Sequence, residues 1–416
     1  MCEAREQRGL LIAATAKIER RGSVYLVPSQ SGKGRYTVSP DEAQPFCSCQ
    51  DHETRGCECK HLIAVRFLIQ KRLFDDGTVE ETRAVVVTHA VKRKTYAQVW
   101  KAYDRAQNNE KATFQVLLAD LCKGIQEPPQ VMGRPRVPLA DAVFAVVFKT
   151  YSTFSGRRFI SDLKDAHARG HLSRPMSHSA IFKAFEREAM FPILRSLVER
   201  SAAPLKSLES NFACDSSGFS GCRFDRWVEH KYGSPMQKIK RSWVKVHIMC
   251  GVKTNVVTAV EIHDQYANDG VQLKPLLNTT ARRFTVKELS ADLAYSTHAN
   301  LEAVDALGGT AMIPFKSNAS PVSGGLWAKM YHYVNLNRDE FLGRYHQRSN
   351  VESTFSAIKR KFGDSLRSKT DVAMKNESLA KLICHNLCCV VQEMHESGIN
   401  PTLWTESPVV PNVGVG

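Results

Sequence analysis

The sequence contains no apolar run approaching the roughly 18 residues that cross a membrane, and Met1-Cys2-Glu3-Ala4-Arg5 offers no apolar core of a secretion signal. A soluble, intracellular protein is the expectation. Acidic residues are few beside basic ones: 42 Asp and Glu stand against 57 Lys and Arg, a formal net charge of +15 and a pI near 9.3. That imbalance favours a polyanionic partner such as nucleic acid over a small acidic substrate, without separating DNA, RNA and membrane. The evenly spaced cysteines of a disulfide scaffold are missing too. Of twelve cysteines, four crowd between positions 47 and 59, which points to metal binding in a reducing compartment. Cys122, Cys214, Cys222, Cys250, Cys384, Cys388 and Cys389 lie in or beside apolar stretches and read as small packing residues. With 416 residues, 43% of them hydrophobic, the chain can bury a sizeable core and divides by length into two or three domains.

Residues 1–75 read as a small metal module. Val24-Tyr25-Leu26-Val27 and Tyr36-Thr37-Val38 form a hairpin around a Gly- and Ser-rich turn. Cys47-Ser48-Cys49, then Cys57-Glu58-Cys59 and His61, precede an apolar helix from Leu62. Three thiolates and an imidazole satisfy a closed tetrahedral zinc site, which holds together a module too small to fold on its core alone. The pattern resembles the SWIM zinc finger, Cys-x-Cys followed by Cys-x-His after a β-hairpin, and Cys47, Cys49, Cys59 and His61 match it. Cys57 competes with Cys59 as third ligand, and His52 is a further candidate. The resemblance implies one structural Zn²⁺ and a role in binding DNA or protein; Arg55, Lys60, Arg66, Lys71 and Arg72 favour DNA.

Residues 76–206 read as a helical linker and DNA-binding region. A helical period runs from Lys94 to Lys123 through Val99, Tyr103, Ala106, Phe114, Leu117 and Leu121. Met132-Gly133-Arg134-Pro135-Arg136 is a basic linker with a slight likeness to an AT-hook. Leu139–Tyr151, Arg158–His167 and Ser177–Leu197 are predicted helices, with Ser177 or Ser179 as an N-cap. Whether they form a helix-turn-helix reader of DNA ends or only pack against the catalytic core stays open.

Residues 207–400 carry the chemistry. Phe212-Ala213-Cys214-Asp215 is a strand meeting an acid, and two alternating strands come next, Val244–Cys250 and Val256–Ile262. A helix over Leu273–Ala281, a strand over Val286–Ala291 ending at Asp292, a helix over Ala299–Leu307 and a fifth strand over Ala311–Phe315 complete the pattern. Then comes a Gly- and Pro-free stretch from Tyr345 to Lys359. On a helix it places Tyr345, Arg348, Glu352 and Lys359 near one stripe and Val351, Phe355 and Ile358 on another.

Tyr, two residues, Arg, three residues, Glu, six residues, Lys is similar to the signature of the bacterial and archaeal insertion-sequence transposases with a DDE catalytic domain. All four positions match: Tyr345, Arg348, Glu352 and Lys359. The resemblance covers about residues 207–390 and implies an α/β, ribonuclease H-like domain with a mixed five-stranded sheet. It also implies catalytic acids at Asp215, Asp292 and Glu352, with Asp264 as the strongest rival for the second. These would bind two Mg²⁺ or Mn²⁺ ions for phosphoryl transfer. Arg348, Lys359 and Tyr345 would contact DNA phosphates, and Trp327 would stack on a flipped base if the ends pass through hairpins. The implied partners are double-stranded DNA, as terminal inverted repeats and target, and a second copy when two ends are synapsed. No membrane is involved, and the setting is cytoplasmic, nucleoid-associated and prokaryotic. A ribonuclease H-like nuclease without strand transfer and a domesticated DNA-binding protein are the alternatives. Residues 401–416 read as a flexible tail.

Overall fold

A computed structural model describes residues 2–30, 34–41, 43–56, 58–73, 79–83, 97–130, 132–133, 136–221, 243–264, 266–316 and 318–404. The chain divides into two compact units, one of residues 1–93 with 317–343, the other of 94–316 with 344–416. Cys57, Cys222, Arg134 and Pro135, named from the sequence, lie outside the described residues.

The first unit begins with α1 (Cys2–Thr15) and a four-stranded antiparallel sheet of β1 (Glu19–Arg21), β2 (Val24–Pro28), β3 (Arg35–Ser39) and β4 (Phe46–Cys47) in that order. Tyr25 and Val27 point inward at the period of two that a half-buried strand requires. Helices α2 (Gln50–Arg55) and α3 (Lys60–Leu68) come after it, then the hairpin β5 (Ile69–Leu73) and β6 (Val79–Arg83). Ile12, Val27, Val38, Leu62 and Val65 are wholly buried beside Cys47, Cys49 and Cys59. Helix α1 lies so close on α3 that a Cβ at Gly9 would stand 2.4 Å from the Ile63 side chain, which is why glycine sits there.

In the second unit, α4 (Trp100–Lys123), α5 (Leu139–Ser152), α6 (Gly156–Ala168), α7 (His178–Phe185) and α8 (Met190–Ala202) precede the sheet. Ser177 caps α7 as expected, its hydroxyl accepting from Ala180 N at 3.2 Å. The single helix expected over Ser177–Leu197 is instead two. Pro192 breaks it: without an N–H for the carbonyl of Glu188, and with its ring crowding that carbonyl, it is tolerated only in the first turn of a new helix. The Asn376 side-chain amide, from the last helix, donates to the carbonyls of Phe185 and Arg187 at the break. The proline announces the interruption locally, while the partner that satisfies the freed carbonyls lies about 190 positions away.

The sheet comprises β7 (Asn211–Ser220), β8 (Trp243–Gly251), β9 (Val257–Asp264), β10 (Glu288–Ala291) and β11 (Thr310–Met312), in the order β11-β10-β7-β8-β9. Strands β7, β8 and β9 are antiparallel, and β10 and β11 run parallel to β7. The parallel connections pass through α9 (Leu273–Ala281) and α10 (His298–Asp305), as parallel neighbours require.

Helices α11 (Gly325–Leu336) and α12 (Arg338–Tyr345) then intervene before α13 (Ser349–Phe362) and the 26-residue α14 (Asp371–Glu396). Helix α11 belongs to the first unit and packs on α1. Helix α13 packs on β7, and α14 on α4, α5 and α8. The apolar surface of α14 runs almost all round, which makes it the buried axis of the helical half. Its Asn386 clamps the edge strand, accepting from Val257 N at 2.8 Å while donating to the Val257 and Val198 carbonyls. The flexible tail expected from position 401 is corrected over its first residues. Leu403 is buried, and Trp404 stacks under Arg200 and donates to Asp120 O at 3.0 Å. No helix among the described residues is long and apolar enough to cross a membrane.

Candidate active site and thiol cluster

Register puts two of the three acids side by side. Cys214 of β7 pairs with Ala291 of β10, so Asp215 and Asp292 are the next residues on two adjacent parallel strands. Each carboxylate takes a local backbone donor: Asp215 accepts from Ser216 N at 2.7 Å, and Asp292 from Ala294 N at 2.8 Å. Asp264 sits elsewhere, at the far end of the outer strand β9, accepting from Tyr266 N.

The third acid arrives on α13. Val351, Phe355 and Ile358 bury one face of that helix, leaving Glu352 and Lys359 on the other. Tyr345 ends α12 and residues 346–348 form a 3-10 turn, so the expected helix over 345–359 comes as two pieces joined without leaving helical backbone. Arg348 bridges the acids. Its Nη2 donates to Glu352 at 2.7 Å, and its Nη1 lies 3.6 Å from Asp215 Oδ2. Burial pushes the Asp215 carboxyl above the usual range; the Ser216 N–H opposes that, the charges on Asp292 and Glu352 add to it, and Arg348 offsets it. Asp292 and Glu352 are therefore both near enough for their charges to bear on Asp215. Tyr345 completes the group, its phenol pushed up by burial, with Arg348 opposing and Asp292 and Asp215 adding to the rise.

Lys359 Nζ donates to Ser217 Oγ at 2.7 Å, two residues after Asp215. A groove of ≈ 680 Å³ runs past Asp215, Ser217, Glu352, Lys359, Arg360 and Asp364. Lys361 and Arg367, further along the chain from Lys359, are occupied otherwise. Lys361 pairs with Glu110 at 2.5 Å, and Arg367 donates to the carbonyls of Thr153 and Phe154. Trp327 lies in the first unit on α11, its indole N–H donating to Ser320 O at 2.9 Å.

Sequence reasoning missed the residues that hold the end of α13. Gly363 takes a left-handed backbone (φ 88°) that a side chain would strain, and the buried Lys381 ammonium donates to the carbonyls of Gly363 and Ser365. Glu377 accepts from the N–H groups of Arg367 and Ser368. In the sequence, α14 is an apolar helix with polar interruptions; only burial reveals what the interruptions do.

In the first unit, Cys47, Cys49, Cys59 and His61 are buried with donor atoms all within 4.8 Å of one another. His61 Nδ1 faces the sulfurs of Cys47 and Cys59 at 3.8 and 3.9 Å. A hydrogen bond between Cys47 and Cys59 pushes the first thiol up and holds the second down. This donor set fits a zinc ion.

No curated protein matches the chain. A cryo-EM structure titled as the piggyBac transposase synaptic complex with hairpin DNA contains a similar chain, 10% identical, with a TM-score of 0.38, covering 69% of this chain and 77% of that one. The family comparison supports a transposase DDE domain over residues 206–387, the stretch that carries Asp215, Asp292 and Glu352.

Proposed function

We propose that the chain is a DNA transposase that cuts the ends of a mobile element and joins them to target DNA, with Asp215, Asp292 and Glu352 as its catalytic acids. The observation that carries this reading is the convergence of three acids from β7, the end of β10 and α13, within the stretch that matches the transposase domain. The strand order, with the acid helix against β7, supports a ribonuclease H-like arrangement.

Three carboxylates at one spot are hard oxygen donors needing cations, so Mg²⁺ or Mn²⁺ fits them. A bound pair of such ions supplies an activated oxygen nucleophile and stabilises the leaving 3′-oxygen. The protein's own groups do the rest. Ser216 N–H and Ala294 N–H fix the first two carboxylates. Arg348, which neutralises Asp215 and Glu352, is placed to fork onto a non-bridging phosphate oxygen. Lys359, anchored by Ser217, acts as a point charge along the groove, and Tyr345 donates to a phosphate oxygen. Trp327 is assigned to stacking on a base of the processed end. Cys47, Cys49, Cys59 and His61 would hold one structural Zn²⁺. The DNA substrates are terminal inverted repeats and target duplex, and handling two ends at once requires a homodimer.

The test uses the full chain with Mg²⁺ and a donor duplex carrying the inverted repeats that flank its reading frame. Nicking at the repeat ends and a strand-transfer product are expected. Alanine at Asp215, Asp292 or Glu352 should lower both by at least about 100-fold, with DNA binding retained. Full activity of any of the three variants would remove that residue from the site.

A further inference from the structure

A second cavity lies in the helical half of the second unit, ≈ 330 Å³ in volume and within the range of small-ligand sites. Phe362, the last residue of α13, lines it, while the next residue, Gly363, lines the acid groove, so the two hollows adjoin at the end of the acid helix. Four features point to a ligand. First, Lys149 is 7% exposed and lines the cavity, and its ammonium has no hydrogen-bond or ion-pair partner among the described residues. An ammonium held that way is costly without an anion. Second, the N-terminus of the 13-residue α6 opens into the same space at Ser155 and Gly156, and the Ser155 hydroxyl does not cap it, so the first N–H groups of that helix remain available to an anion. Third, the rings of Phe154 and Phe182 are 47% and 48% exposed at the cavity, against the usual burial of phenylalanine. The Phe182 ring lies directly over Gly156, where a Cβ would stand 2.6 Å from it, so the backbone there makes room for the ring. Fourth, the charge is lopsided. Lys149, Arg367 and Lys381 line the cavity with one carboxylate, Glu377, which already accepts from two backbone N–H groups and lies 3.8 Å from the Lys381 ammonium. Arg367 and Lys381 donate to backbone carbonyls, so Lys149 is the cation left to meet an anion.

The geometry points to a nucleotide site: a base laid on Phe154 and Phe182, its phosphate held by Lys149 and the start of α6. Aromatic faces take any base, and a cation with a helix N-terminus takes the phosphate. The occupant is one unpaired nucleotide of a DNA strand leaving the acid groove. This deepens the transposase reading and rests on it for the source of the strand, though not for the chemistry of the pocket.

The test is ligand-observed NMR saturation transfer on the full chain without divalent ions, using dTMP, ribose 5-phosphate, inorganic phosphate and a twelve-residue oligo-dT. Expected is binding of dTMP with saturation strongest on the base protons, weaker binding of ribose 5-phosphate and phosphate, and displacement of dTMP by oligo-dT. Phe182→Ala should weaken dTMP about ten-fold while removing only a half-exposed ring, and Lys149→Met, of similar length, should do the same. Absence of dTMP binding at 10 mM (about the weakest such contact worth the name), equal binding of dTMP and phosphate, or indifference to both variants overturns the pocket. Failure of oligo-dT to displace bound dTMP overturns the strand as its source. The outcomes separate from those of the cleavage test: a protein that cuts ends yet ignores dTMP loses only the pocket, and one that binds dTMP as described yet never cuts loses only the transposase.

Discussion

The guanidinium of Arg348 lies between the carboxylates of Asp215 and Glu352, 3.6 Å from the first and 2.7 Å from the second. One cation thus neutralises acids that reach the site from a strand and from a helix far later in the chain. Removing it leaves the carboxylates to repel one another and leaves more for a divalent ion to relieve. Arg348→Ala should therefore bind Mg²⁺ several-fold more tightly, about 1 kcal/mol for so exposed a glutamate, while losing end cleavage. Thermal melts across a Mg²⁺ titration check this; an unchanged or weaker midpoint would show that Arg348 does not screen the acids.

Removal of zinc should act on the first unit. Its core is small and three of its buried members are the cysteines themselves, so a zinc ion held by them would supply folding energy outright. Chelation, or Cys47→Ser, is expected to abolish hydrogen-exchange protection over β2, β3 and α3 and leave the five-stranded sheet protected. One zinc per chain by elemental analysis is the companion measurement.

Glu110 of α4 accepts from Tyr151 at 2.8 Å and pairs with Lys361 of α13 at 2.5 Å, so a buried carboxylate ties the helical half to the acid helix. Glu110→Ala strands the phenol and the ammonium together. The expected cost is about 2 kcal/mol, below that of a wholly buried pair because Lys361 is partly exposed. Denaturant unfolding measures it, and Glu110→Gln, which keeps the tyrosine bond, should recover part.

His385 of α14 is buried against the Asn255 carbonyl at 2.8 Å, and burial pushes its pKa down to about 4. The unfolded chain binds the proton near pH 6.5, the folded chain only near 4. Stability is thus whole above about pH 6.5 and falls as the pH drops toward about 4, by about 3 kcal/mol from this residue. Unfolding curves between about pH 7 and 4 for wild type and His385→Gln should converge as the pH falls.

The strands were legible, and the signature was picked out, because each rests on local pattern; the signature's roles stay part of the proposal. Alternation marked β8 and β9, and a fixed spacing marked Tyr345, Arg348, Glu352 and Lys359. Preferring Asp292 to Asp264 needed only the order of strands, and the register of β7 against β10 sets Asp292 next to Asp215. What escaped was decided by distant partners. The turn after α13 depends on Lys381 and Glu377, and the anchoring of Trp404 on Asp120 and Arg200, whereas the split between α7 and α8 was readable from Pro192 and was overlooked. The spent charge of Lys361 was equally invisible, because its partner lies 251 positions earlier.

Helix α11 rests on α1, though more than 300 residues separate them in the chain. Dissection of the protein into pieces is constrained accordingly. A truncation that starts after position 93 leaves α11 without its neighbour, and one that stops at 206 takes α11 from the thiol-bearing module. Assays of zinc or DNA affinity on either piece would report on an amputated fold, and only the uncut polypeptide presents both ends of that contact.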